Sequence, residues 1–115
     1  MAGGFVREEW EWMADLVRSG ELVDVEVTDH PEYPLYVVLD DEVCVEFDHW
    51  VDSLVRALRR APGVDRAVRE DREVLLVAGR TDPDQLARWI GDWWMGRLQR
   101  GGTLRDRVLR LVARD

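Results

Sequence analysis

The chain of 115 residues has no lysine, no asparagine, a single cysteine and only two histidines. The lack of lysine excludes Schiff-base lysines, phosphate-binding lysines of the Walker type and serine–lysine pairs. Because Cys44 has no second cysteine to pair with, an intramolecular disulfide is excluded, and we expect a cytoplasmic location. The longest apolar runs, residues 35–39 and 74–78, have five residues each. Such runs are far too short to span a bilayer, so we expect no membrane segment.

The remaining composition is that of a folded protein rather than a disordered tail. Hydrophobic residues make up 46% of the chain and charged residues 35%. This is enough apolar material for a core, and the length is that of one typical domain. We therefore expect residues 1–115 to form a single domain.

Charge is divided unevenly along the chain, whose formal net charge is −8. Residues 1–52 carry 15 acidic side chains against two arginines, a formal −13. Residues 53–115 carry nine acidic side chains against 14 arginines, a formal +5. The two halves can attract each other on folding, or the basic end can meet an acidic partner. Since the first half would repel phosphates, we predict no binding to duplex DNA or RNA.

Hydrophobic periodicity and turn residues predict the elements. Apolar residues at helical spacing predict a helix over 5–18 that stops at Ser19 and Gly20. Asp40 and Asp41 have the composition of a hairpin turn, and Asp48 that of a helix N-cap. The predicted elements after the first helix are strands over 21–28, 35–39 and 42–47, a helix over 49–61, strands over 64–69 and 73–79, a helix from 83 to about 100, and, beyond Gly101 and Gly102, a short last segment from Thr103 that is a helix or, less favoured, a strand.

The resulting element order is α-β-β-β-α-β-β-α-α. This order is typical of an α+β domain in which an antiparallel sheet carries its helices mainly on one face. Residues 42–100, which read β-α-β-β-α, could form part of a ferredoxin-like sandwich. The whole order is similar to that of small acidic type III secretion chaperones, a resemblance in element order that no motif residue carries.

Acidic residues on two predicted strands form a candidate binding surface. Asp24 and Glu26 project from one strand. Glu42 and Glu46 project from another, so the four carboxylates share one sheet face if the strands pair. Because a concentrated negative patch attracts and orients a cationic partner, we predict that this face docks a protein that is basic at the contact. The alternative is a solvated face whose charges protect a sheet edge from aggregation.

The residues that could carry metal or thiol chemistry are His30, Cys44 and His49, and their spacing matches no zinc motif. We expect Cys44 to face outward between Glu42 and Glu46, whose carboxylates would raise the pKa of its thiol. A cysteine nucleophile would also need a base within hydrogen-bond reach. We predict no catalytic residue, no metal and no cofactor.

Trp94 is a further candidate contact residue, because it lies off the main apolar face of its helix. The residues predicted to form that main face are Leu86, Trp89, Ile90 and Trp93. Trp94 shares a second stripe with the small residues Ala87 and Gly91, which would let another helix approach closely. That helix is either the last helix of the chain or part of a second copy, which would make the protein a homodimer.

These patterns predict a non-catalytic protein-binding domain of the small acidic chaperone, antitoxin or immunity-protein type. The alternative is a ferredoxin-like domain that binds a small ligand or has a regulatory role, with a pocket between sheet and helices. A deep polar pocket that contains His30, His49 or Tyr36 would favour this alternative, or an enzyme that uses carboxylates or His49.

Overall fold

The computed structural model describes the backbone of residues 7–114 and the side chains of residues 11–99. Over this range four helices and four strands follow in the order α-β-β-α-α-β-β-α. Their bounds are α1 Arg7–Ser19, β1 Val23–Val27, β2 Leu35–Leu39, α2 Asp41–Glu46, α3 Asp48–Leu58, β3 Val64–Arg69, β4 Val74–Gly79 and α4 Pro83–Arg114. The fold therefore belongs to the predicted α+β class. None of the described helices combines the length and apolar character that a membrane-crossing segment needs.

The four strands form one antiparallel sheet in the order β1-β2-β4-β3. Val25 of β1 pairs with Val37 of β2, and Val37 pairs in turn with Leu75 of β4. Paired residues project from the same side of a sheet, so these three side chains lie on one face. The order makes β2 and β4 the central strands and leaves β1 and β3 at the two edges.

One face of the sheet holds the hydrophobic core. Val37, Leu75 and Val77 on this face are completely buried. Every helix adds side chains to the same cluster: Met13 from α1, Val43 from α2, Leu54 from α3 and Leu86 from α4. The helices therefore cover one face of the sheet, as the sequence predicts.

The glycine turn after α1 places this helix against α4. Gly20 has φ +80°; its N–H donates to the carbonyl of Val17, and the N–H of Glu21 donates to that of Leu16. This is the Schellman pattern, which ends a helix at glycine. Val17 then lies so close to Gly91 of α4 that a Cβ at position 91 would be 3.4 Å from its Cγ1. Gly91 thus accommodates α1 rather than a last helix or a second copy.

The predicted strand over 42–47 is wrong, because residues 41–46 form α2. Asp40 caps this helix through Oδ2, which accepts the N–H of Val43 at 3.2 Å. Acidic residues in the first turn, Asp41 and Glu42, also favour a helix N-terminus. Val43 and Cys44 are completely buried. The apolar residues of this segment therefore pack a helix onto the core instead of extending the sheet.

The end of the chain also differs from the prediction, because α4 runs to Arg114 through Gly101 and Gly102. A glycine inside a helix costs only about 1 kcal/mol relative to alanine, so two glycines need not break a long helix. The expectation that residues 104–112 fold back over Trp94 is therefore wrong, because they continue the same helix along its axis.

Candidate functional site

The sheet face opposite the core, here called the outer face, combines an apolar centre with charged edges. The strand register places on it Asp24, Glu26, Tyr36, Val38, Arg66, Val68, Val74, Leu76 and Ala78. Leu76 and Ala78 are only 6% and 7% exposed, although neither belongs to the core cluster. Val68 is 37% exposed. All four described helices add side chains to the core on the other side, and none of them covers the outer face. Tyr36, Val38 and Val74 on the outer face are partly exposed.

The two edges of the outer face carry opposite charges. Asp24 and Glu26 on β1 pair with Val38 and Tyr36, and neither carboxylate forms an ion pair with a described residue. On the β3 side the guanidinium of Arg66 lies 5.3 Å from the centre of the Tyr33 ring, within cation–π range. Within the described part of the chain, no ion pair neutralises the negative charge at the β1 edge.

The backbone of β1 presents an open edge. Two hydrogen bonds at the ends of the β1–β2 ladder show which residues of β1 are hydrogen-bonded to β2. The N–H of Asp40 donates to the carbonyl of Leu22, and the N–H of Thr28 donates to that of Pro34. Because hydrogen-bonded pairs alternate along antiparallel strands, the even-numbered residues of β1 bond to β2. The odd-numbered residues direct their N–H and C=O groups away from the sheet: Val23, Val25 and Val27. Among the described residues, β1 pairs with β2 alone.

The other edge strand, β3, is joined to α3 through Arg69. Its Nη2 donates to Asp48 at 2.6 Å and to the carbonyl of Arg72 at 2.7 Å, and its Nη1 donates to Asp52 at 2.9 Å. Burial lowers the pKa of Arg69, but the hydrogen bonds that it donates to Asp48 and Asp52 outweigh this effect and raise the pKa above its usual value. Asp48 therefore binds Arg69 and does not cap α3, whose N-cap position is Phe47.

Glu42 and Glu46 do not join Asp24 and Glu26 on the sheet. Both are exposed on α2, one helical turn apart. The predicted four-carboxylate sheet face is therefore wrong in two of its members, because their segment is helical. Asp24 and Glu26 lie exposed on the outer face, at the positions that the alternation predicts.

Trp94 is completely buried inside the subunit. Its Nε1 donates to Sδ of Met13 at 2.7 Å, and its ring centre lies 5.5 Å from that of Trp50. The buried stripe of α4 is Leu86, Ile90, Trp94 and Leu98, with Trp89 and Trp93 only partly buried beside it. Contrary to the prediction, Trp94 presents no surface to a partner, and a homodimer remains a prediction without this support.

Cys44 is buried rather than facing outward. Burial raises the pKa of its thiol to about 11; Arg69 partly opposes the rise, and carboxylates including Glu73 add to it. A thiol that keeps its proton is a poor nucleophile. Within residues 11–99, no three His, Cys, Asp or Glu side chains form a group that could hold a metal ion.

The structure shows no hydrogen bond between Cys44 and either of the two histidines. His30 shapes the β1–β2 loop, since its Nδ1 accepts the N–H groups of Glu32 and Tyr33, each at 3.1 Å. His49 is exposed on α3, with its ring centre 6.4 Å from that of Trp50. His30 thus has a structural role in a loop next to the outer face.

A groove of about 420 Å³ lies between the C-terminal end of α1 and the first turns of α4. Its lining includes Val17 and Ala87 together with the charged residues Arg18, Asp84, Arg88 and Asp92. It does not include His30, His49 or Tyr36, the residues expected in a deep polar pocket.

Comparison with protein families, curated proteins and solved structures finds no match for this chain.

Sequence reasoning missed the apolar centre of the outer face. The signal for it is the pair of uninterrupted apolar runs in β2 and β4, Leu35–Leu39 and residues 74–78. A strand that is apolar at every position presents apolar side chains to both faces of its sheet. Two such strands at the centre of a sheet with helices on one side leave apolar side chains on the other.

Proposed function

We propose that the chain is a non-catalytic protein-binding domain that holds its partner on the outer face, with basic groups of the partner next to Asp24 and Glu26. The observation that carries this proposal is the sheet face that no described helix covers, on which Tyr36, Val38 and Val74 are partly exposed and Val68 is 37% exposed. An apolar centre with a charged rim is the arrangement found in protein interfaces.

The charge distribution supports a basic partner. Asp24 and Glu26 lack ionic partners among the described residues, whereas Arg66 at the opposite edge lies on the ring of Tyr33. A cation that approaches this face therefore meets its uncompensated negative charge at β1. Such charges raise the rate of association more than they raise final affinity.

The state of the reactive side chains favours binding over catalysis. Cys44 is buried with its pKa raised, and Nδ1 of His30 is occupied by two backbone N–H donors. Neither group is poised to attack or deprotonate a substrate on the outer face.

A photo-crosslinking amino acid at two exposed positions tests the proposal. Placed at Val68 on the outer face, it should give a discrete crosslinked protein in cells that express the chain. The matched control is Arg59, which is exposed at the end of α3 on the helix side. Adding Glu26→Arg to the Val68 probe should reduce the yield several-fold. Equal crosslinking at Val68 and Arg59, or none at Val68, would overturn the proposal.

A small-ligand-binding domain is the second candidate, favoured by the groove between α1 and α4. Its volume of about 420 Å³ is within the range of small-molecule sites. Replacing Ala87 with Trp would fill this groove without touching the outer face. Retention of ligand-induced thermal stabilisation in Ala87→Trp would eliminate the groove as the binding site.

A further inference from the structure

We propose that β1 accepts an extended segment of the partner as a fifth strand of the sheet, and that this segment alternates basic and apolar residues. The inference rests on the proposed function and specifies how the partner binds. Its basis is a backbone edge that no described strand pairs with, two carboxylates on one side of that edge without an ion pair to a described residue, and an exposed valine on the other side.

The backbone of β1 supplies a regular row of N–H and C=O groups that pair with no other described strand. Val23, Val25 and Val27 point their N–H and C=O groups outward, and β1 has no proline and no register shift against β2. An extended peptide can pair with such an edge through main-chain hydrogen bonds, which provide affinity independently of sequence. Natural edges are usually protected by short length, bulges or charge. β1 has its charges on only one face.

The side chains along β1 specify the chemistry of the added strand. On the outer face, residues of the added strand lie directly opposite Asp24 and Glu26, and opposite charges in such cross-strand positions stabilise the pair. On the core side the added strand continues the row of Val23, Val25 and Val27. Val27 is 72% exposed, the largest exposure among the large hydrophobic residues described. The complementary segment therefore reads apolar, basic, apolar, basic, apolar.

A second copy of the chain does not fit this edge. Antiparallel pairing of β1 with itself around Val25 would place Asp24 directly opposite Glu26 of the copy, and like charges in that position are destabilising. The second edge strand is also less suitable. The register of β3 shifts between Val64 and Arg66, and Arg69 ties this strand to α3. The occupant that fits is a basic segment of another protein at β1.

A peptide titration tests the strand addition directly. The probe is the capped peptide Thr-Val-Arg-Val-Arg-Val-Thr, and the control Thr-Arg-Arg-Val-Val-Val-Thr has the same composition but cannot place both arginines on one face. We expect the probe to shift the amide NMR signals of β1 and to slow amide hydrogen exchange at Val23, Val25 and Val27. The control peptide should bind at least about tenfold more weakly.

Variants of the edge separate strand pairing from charge attraction. Val25→Pro removes an outward N–H without removing a β1–β2 hydrogen bond, and proline is tolerated at such edge positions. It should abolish binding of the probe, whereas Val25→Ala, which keeps the N–H, should retain it. The double variant Asp24→Arg, Glu26→Arg should bind the probe at least about tenfold more weakly and should bind the acidic peptide Thr-Val-Glu-Val-Glu-Val-Thr instead. This charge exchange also tests the proposal if Val25→Pro fails to fold.

The outcomes distinguish this inference from the proposed function. Failure of the probe to bind, equal binding of the control peptide, or equal binding to Val25→Pro and Val25→Ala would overturn strand addition. If the Val68 crosslink persists in Val25→Pro, the outer face binds a protein by another mode and the proposed function stands. If no crosslink forms at Val68 in the wild type, the proposed function itself fails, whatever the peptide does.

Discussion

Trp94 is the residue whose replacement should cost the domain most. It is completely buried, where α1, α3 and α4 meet. Its indole N–H donates to Met13 of α1, and its ring packs on Trp50 of α3. Truncation to alanine would remove the ring from the junction of three helices and leave a cavity that these elements cannot fill by small shifts.

The expected loss is about 3–5 kcal/mol for Trp94→Ala, the cost of deleting a fully buried large aromatic side chain. For 115 residues, an unfolding entropy of about 2.1 cal/mol/K per residue gives about 0.24 kcal/mol per kelvin. The melting temperature should therefore fall by about 12–20 °C. Trp94→Phe keeps an aromatic ring on Trp50 but loses the N–H donor and part of the volume, so it should cost only about 1–2 kcal/mol.

Urea unfolding followed by far-ultraviolet circular dichroism measures these losses without relying on the fluorescence of the replaced residue. Trp89→Ala is the matched control, because Trp89 is only partly buried on the same helix. A loss for Trp94→Ala no larger than that for Trp89→Ala would refute the assigned burial. The midpoint shift should also be independent of protein concentration. A shift that grows on dilution would mean that Trp94 is buried between subunits, as in the homodimer hypothesis.

Three further predictions concern Cys44, Arg69 and Gly79. The unfolded Cys44 thiol has a pKa near 9.0, and burial raises the pKa of the folded thiol to about 11. The folded state therefore holds this proton more tightly. The stabilisation from the neutral thiol is complete below pH 9.0 and is lost as the pH rises from 9.0 to about 11. The free energy of unfolding should fall by about 3 kcal/mol over this pH range. In urea titrations Cys44→Ala should not show this fall, and an equal fall in both proteins would contradict the burial of the thiol. In urea unfolding, Arg69→Met should lower the free energy of unfolding by about 1–2 kcal/mol. Arg72→Met removes an exposed ion pair and should lower it by about 0.5 kcal/mol or less. Equal losses would argue against the role of Arg69 in joining β3 to α3. Gly79→Ala should lower the free energy of unfolding by at least about 2 kcal/mol, because its Cβ would lie 2.1 Å from the carbonyl oxygen of Gly63. An unchanged melting temperature would contradict this close approach.

Local patterns in the sequence are sufficient to predict the strands of this sheet. The alternation of Val23, Val25 and Val27 with acidic residues predicts β1, and the apolar run over residues 35–39 predicts β2 with its observed bounds. The prolines between them and the turn at residues 70–73 interrupt the pattern at the places where the chain reverses. These signals are local because each depends on side-chain alternation or on backbone restrictions of single residues.

The helix α2 shows where the local pattern misleads. Alternation of apolar and acidic residues over 42–47 indicates a strand, whereas Asp40, Asp41 and Glu42 are typical of a helix N-terminus. The conflict is resolved by tertiary packing. In a helix, Val43, Cys44 and Phe47 fall on one side, and all three are buried in the core. A strand would have placed Val43 and Cys44 on opposite faces.

The apolar centre of the outer face depends on long-range pairing that no local pattern contains. Runs that are apolar at every position also occur in sheets covered by helices on both faces, so β2 and β4 alone are compatible with either arrangement. What decides is the number of helices available. Four strands about 4.8 Å apart make a sheet about 19 Å wide. Two helices packed side by side about 10 Å apart are therefore wide enough to cover one face of this sheet. In the described part of the chain α3 and α4 provide this cover, while α1 packs on α4 and α2 closes the core beside α3. No described helix remains for the second face, which is why Tyr36, Val38 and Val74 on that face stay partly exposed.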